Sequence, residues 1–138
     1  MKRIGLLIIV IFTVGPQVFS QIIRVPDDQP SIQAGIDSAE IGDTVLVAEG
    51  TYYENIRFNG KAITVASRFL LNGDTSHISR TIVDGSKAGN PERASTVIFD
   101  SGEDTTSILC GFTIRGGEGS IFPAGEEGSI RRAVVVFL

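Results

Sequence analysis

Residues 42–58 read GDTVLVAEGTYYENIRF. Thr44 to Ala48 is a short run of β-forming residues, Glu49-Gly50 is a turn signal, and a second run begins almost at once and ends on Ile56-Arg57-Phe58. Strands this short must pair, and Gly50-Thr51-Tyr52-Tyr53-Glu54 is a corner that hairpin geometry does not explain. The partners of these strands therefore have to be found further along the chain.

Downstream, Ala62-Ile-Thr-Val-Ala66, Thr81-Ile-Val83, Thr96-Val-Ile-Phe99 and Ser107 to Ile114 are each rich in Val, Ile, Thr or Phe and bounded by Gly, Asn, Asp or Ser. The centres Val45, Ile63, Ile82, Val97 and Ile108 are separated by 18, 19, 15 and 11 residues. No amphipathic helix of about 10 to 15 residues stands between them, which argues against a doubly wound α/β sheet. Two all-β solutions remain. Asn59-Gly60 is a two-residue hairpin signal and favours a sandwich of consecutive antiparallel strands. The recurrence of an apolar run, an acidic residue and a glycine, at Ile82-Val83-Asp84-Gly85 and Ile98-Phe99-Asp100-Ser101-Gly102, favours a solenoid, in which each coil lays a strand on its predecessor. The solenoid accounts for more of the sequence.

Upstream, Ile22 to Val25 is a short entry strand stopped by Pro26. Pro30-Ser31 is a helix start, and Ile32, Ile36 and Ala39 recur on one helical face before Gly42 ends the element. Residues 1–20 have the pattern of a cleaved secretory leader. Lys2 and Arg3 precede an apolar stretch from Ile4 to Gly15, and Val18 and Ser20 stand three and one positions before a cut ahead of Gln21. Its 12 apolar residues would span only about 18 Å as a helix, short of the ~30 Å hydrocarbon core. The expectation is a secreted, periplasmic or cell-surface chain without stable membrane insertion. With Lys2 and Arg3 gone, ten basic residues face sixteen acidic ones, net −6. No basic cluster exceeds Arg131-Arg132, which disfavours a nucleic-acid partner. The single cysteine, Cys110, excludes an intrachain disulfide, and its apolar setting reads as a buried thiol.

Ser31 to Ala39, Gly42 to Ala48 and the Gly50-Thr-Tyr-Tyr-Glu-Asn-Ile56 corner together resemble the N-terminal capping unit of right-handed parallel β-helix proteins of the pectin-lyase-like superfamily. Thr81 to Gly85 and Cys110 to Gly117 resemble its coil repeats, so the likeness covers residues 22–119. It implies an all-β right-handed parallel β-helix with a short N-terminal capping helix, over residues 21–119. It also implies acidic polysaccharide as the substrate or contact class, because the superfamily includes polysaccharide lyases, glycoside hydrolases and pectin methylesterases. In such enzymes carboxylates, in several lineages with an arginine, stand on one strand face.

The acids available for that chemistry are Asp84, Asp100, Glu103 and Asp104, with Arg115 as the nearest strand arginine. Asp84 and Asp100 follow similar apolar runs and would align on adjacent coils, where paired carboxylates divide into acid and base. The plainer reading makes both of them corner residues with local turn hydrogen bonds. No catalytic motif is complete, and the catalytic residues are therefore unassigned. Calcium is a chemical option for Glu103-Asp104 and Glu126-Glu127, but neither pair has a ligand-loop spacing, and no cofactor is expected. Tyr52 and Tyr53 could offer a sugar platform, yet alternation along a strand sends one of them inward. His77 lies in the polar stretch 72–80 with no argued partner.

Residues 120–138 form a loop and an apolar tail, Ala133 to Leu138, without the corner residues seen earlier. The tail reads either as one more strand or as the product of a truncated or shifted reading frame. The expectation is an exported β-helix fragment, a surface or polysaccharide-contacting scaffold without a complete active site. The alternatives are the N-terminal part of a lyase or hydrolase on acidic polysaccharide, and a module that self-associates through an uncapped last coil.

Overall fold

The computed structural model describes residues 19–87, 94–119 and 135–136. The expected leader, except Phe19 and Ser20, and the tail, except Val135 and Val136, lie outside these residues. In chain order the elements are β1 (Ile22–Val25), α1 (Ile32–Ser38), β2 (Thr44–Val47), β3 (Gly50–Tyr52), β4 (Ile56–Arg57), β5 (Thr64–Ser67), α2 (Phe69–Asn72), α3 (Ser76–Arg80) and β6 (Thr81–Asp84). A 3-10 turn at Gly85–Lys87 follows, then β7 (Val97–Ile98), β8 (Ile108–Cys110), β9 (Thr113–Arg115) and β10 (Val135–Val136).

The strands form three short sheets, ordered β1-β2-β5-β8-β10, β3-β6-β9 and β4-β7. The pairings are parallel. The opening stretch thus finds its partners downstream: Val45 opposite Val65, and Thr51 opposite Ile82. Parallel register stacks like on like, so Ile23, Val45, Val65 and Leu109 make one buried column across four strands. Each such side chain contributes about 1.5–3 kcal/mol on removal from water. Phe58, stacked on Phe99 with ring centroids 4.4 Å apart, fills the same core from the β4-β7 side.

The fold class departs from the expectation. The chain is not an all-β right-handed parallel β-helix or solenoid; it is a small mixed α/β structure with several short parallel sheets. Helices occupy the crossovers, with α1 joining β1 to β2, and α2 and α3 joining β5 to β6. At 7, 4 and 5 residues, they escape a search for helices of about 10 to 15 residues. The stretch read as a polar loop, 72–80, is largely α3. Asn59-Gly60 makes no hairpin either. Both residues take positive φ, 57° and 73°, but the turn carries the chain from one sheet to another, since β4 pairs with β7 and β5 with β2.

α1 closes the early edge of the sheets. Ile32 and Ile36 are fully buried against the core, and Gly35 lets the helix approach β2 so closely that a Cβ there would lie 2.7 Å from Val45 Cγ1. The Ser31 hydroxyl accepts from Ala34 N (3.1 Å), and Glu54 accepts from Ile32 N (3.0 Å) and Gln33 N (2.9 Å). At the other end, Lys61 Nζ donates to the carbonyls of Ile36, Asp37 and Ala39 at 2.7–2.9 Å. The groups that a short helix leaves without intrahelical partners are thereby satisfied by charges of the sign that the helix dipole favours at each end.

Candidate functional site

At the late edge, β7, β8 and β9 border a cleft of about 510 Å³, lined by Thr96, Val97, Phe99, Leu109, Ile114, Arg115 and the glycines 116, 117 and 119. Its floor is apolar because the register places core-facing side chains at Val97, Leu109 and Ile114. Arg115 is its charged member. The β6-β9 register sets Arg115 opposite Asp84, and Nε donates to Asp84 Oδ2 at 2.8 Å. The Asp84 side chain is 9% exposed and that of Arg115 is 54% exposed, so the carboxylate is the anchor and the guanidinium reaches solvent.

Asp84 also accepts from Ser86 N at 3.0 Å. Hydrogen bonds from Ser86, and then Arg115, hold its carboxyl below the ordinary aspartate range despite burial. Gly116 is required beside it: φ is +74°, and a Cβ would stand 2.5 Å from Asp84 Oδ1. The Thr96 hydroxyl donates to Arg115 O at 3.0 Å, tying β9 to the start of β7.

The structure does not bring the other proposed acids to Asp84. Asp84 ends a strand of the β3-β6-β9 sheet, whereas Asp100 follows β7 in the β4-β7 sheet and pairs with Arg57 Nε at 2.7 Å. Buried Glu103 accepts from Gly60 N and Ser101 N, both at 2.8 Å, and pins the Asn59-Gly60 turn. Asp104 accepts from Thr106 N at 2.8 Å, and hydrogen bonds from Thr106 lower its pKa. Among the described residues no group of three or more His, Cys, Asp or Glu could hold a metal ion. Glu126-Glu127 lies outside them.

Tyr52 and Tyr53 divide between inside and outside. The Tyr52 hydroxyl donates to Ala48 O at 2.9 Å, and burial, more than neighbouring charge, raises its pKa. Tyr53 is exposed, with Lys87 Nζ 3.7 Å from its ring centroid. Cys110 is a free thiol of intermediate exposure whose pKa is raised by burial, the opposite of an activated nucleophile. His77 is not an isolated loop residue: Nδ1 lies 2.6 Å from Glu49 Oε1 and Nε2 lies 3.3 Å from Asn72 Nδ2.

Sequence reasoning named Glu54 only as part of a corner and missed its contact with α1, along with Lys61 and the Arg57–Asp100 pair, because the partners are 21 to 43 residues away and no local spacing encodes them. No helix among the described residues is long and apolar enough to cross a membrane. No protein-family model, curated protein or solved structure matches the chain.

Proposed function

We propose that the chain is an exported scaffold that contacts acidic polysaccharide at the cleft beside Arg115 and has no complete active site of its own. The observation that carries the reading is the Arg115 guanidinium, anchored through Nε by a buried carboxylate and half exposed on the rim of an apolar cleft. A uronic acid residue presents a carboxylate to such a guanidinium and the C–H face of its ring to Phe99 and Ile114. The cleft volume falls within the ~300–1,000 Å³ of small-molecule sites. Acid–base chemistry has less support. Asp84, Asp100, Glu103 and Asp104 are each engaged by internal donors, and the lowered pKa of Asp84 keeps it ionised rather than poised to give up a proton.

Calorimetric titration of the full chain with a uronic-acid oligomer tests this. Binding is expected, with Arg115→Gln weakening it about tenfold or more, the worth of a charge-assisted hydrogen bond. A neutral oligomer of the same linkage should bind no better than the variant does. Binding unaffected by Arg115→Gln would remove the site, and cleavage of the oligomer would replace the scaffold with an enzyme.

A further inference from the structure

We infer that Glu49, His77 and Asn72 form a proton-operated latch on the crossover that carries α2 and α3. Asn72 Nδ2 points at His77 Nε2 at 3.3 Å, while Asn72 Oδ1 accepts from Asp74 N at 2.9 Å. The amide orientation is thus fixed by its carbonyl, and an NH₂ group can donate only to an unprotonated Nε2. The proton of neutral His77 accordingly sits on Nδ1 and donates to Glu49 Oε1 at 2.6 Å.

Protonation adds a hydrogen to Nε2 and sets donor against donor. Asn72 cannot turn its oxygen to His77 without releasing Asp74 N, so one of its two contacts must break. The contact with Glu49 survives and becomes an ion pair. The charged groups around the imidazole are Glu49 from the β2–β3 corner, Arg80 from α3, whose Nε lies 3.2 Å from Glu49 Oε1, and Asp74 from the α2–α3 turn. Asp74 is held ionised mainly by hydrogen bonds from Ser76, with His77 and Arg80 adding to the effect. Arg80 competes with protonated His77 for the same Glu49 oxygen.

The crossover is built to feel so small a change. Neither α2 nor α3 buries a residue fully, and Leu70 and Leu71 are 48% and 62% exposed. A segment with few apolar anchors opens locally at low cost. His77 is the only histidine of the chain, so a single substitution, His77→Gln, isolates its part in any response.

Proton-detected ¹⁵N spectra and amide exchange of the full chain test the latch. Neutral His77 should show the Nδ1–H tautomer. As His77 titrates, protection of the amides of Leu71 to Asp74, corrected for intrinsic exchange, should fall about five-fold, the equivalent of one hydrogen bond, while the β2 and β5 amides stay constant. Asn72→Ala should leave the segment equally unprotected at both ends of the range, and His77→Gln should remove the pH response. An Nε2–H tautomer, or protection of Leu71 to Asp74 that is unchanged through the titration, would overturn the inference.

Discussion

Ile32 and Ile36 are wholly removed from solvent at the edge that α1 covers, whereas Val97, Phe99 and Ile114, at the edge bordered by β7 and β9, are only partly buried. α1 packs on β1, β2 and β4, and the cleft lies against β7, β8 and β9, so two of the three sheets run from one edge to the other. The edges differ in how polar groups are used. At the α1 edge, Ser31, Glu54 and Lys61 serve the helix termini, and Gln33 bridges to both Arg57 N and Arg57 O. Even the entry strand is protected, because Arg24 N donates to Asp28 Oδ2 and Arg24 O accepts from Asp28 N and Gln29 N. Among the described residues, the charged contact at the cleft edge is the Arg115–Asp84 ion pair, and the Thr96 hydroxyl donates to Arg115 O, beside an apolar floor. Among the described residues, one edge is finished as structure and the other offers a contact.

The sharpest way to break that comparison is to truncate an equivalent residue at each edge. Ile36→Ala should cost about 2–5 kcal/mol, the usual range for a buried isoleucine, whereas Ile114→Ala should cost less than about 2 kcal/mol, because part of its surface is already exposed. Urea unfolding of both variants measures the difference. Equal losses would mean that the cleft is as much a part of the core as the face under α1.

A smaller effect tests whether the polar groups at the α1 edge act as one device. Glu54→Ala and Lys61→Met should each cost about 1–2 kcal/mol, as expected for a lost helix cap or charge-assisted hydrogen bond. The seven-residue helix is too short to stand alone, so the loss of either end loosens the other. The double variant should therefore cost less than the sum of the single ones. Strict additivity would show that the two residues stabilise separate local contacts.

The comparison also marks what the sequence could disclose. The strand at Thr44–Val47 and the need for distant partners were legible because a short run of β-forming residues ahead of the Glu49-Gly50 turn signal is a local pattern that survives into the structure. The Ser31 cap and the Ile32–Ile36 face of α1 were legible because a helix-start signal and apolar residues at helical spacing are local too. α2 and α3 were not: helices that bury no residue fully leave no apolar stripe, and Gly73 and Asn72 read as loop composition. That omission carried the fold class from mixed α/β to all-β. At the cleft, Asp84 and Arg115 could both be named, but not joined, because 31 residues separate them and only the β6-β9 register sets them face to face. The expected alignment of Asp84 with Asp100 failed on the same point, since similar local sequence placed them in different sheets.

The smallest expected effect lies at low pH and should begin at the cleft edge. Asp84 has a lowered folded-state pKa, set by Ser86 and Arg115, and its unfolded value is about 3.9. The unfolded chain therefore takes up this proton more readily, so the stabilisation is fully present above the unfolded value and is lost as pH falls through the folded one. Protonation removes the acceptor charge that orients Arg115, and β9 should loosen from β6 before α1 leaves β2. Amide exchange followed from pH 5 downward, on the order of the carboxylate range, should show the β9 amides losing protection ahead of those in β2. In Asp84→Asn the acid-dependent part of that loss should disappear, because the amide has no proton to take up and its β9 contact is already weakened at neutral pH. If wild type and variant followed the same acid profile, the anchor of Arg115 would have to lie elsewhere, and the cleft edge would lose the ion pair that distinguishes it from exposed core.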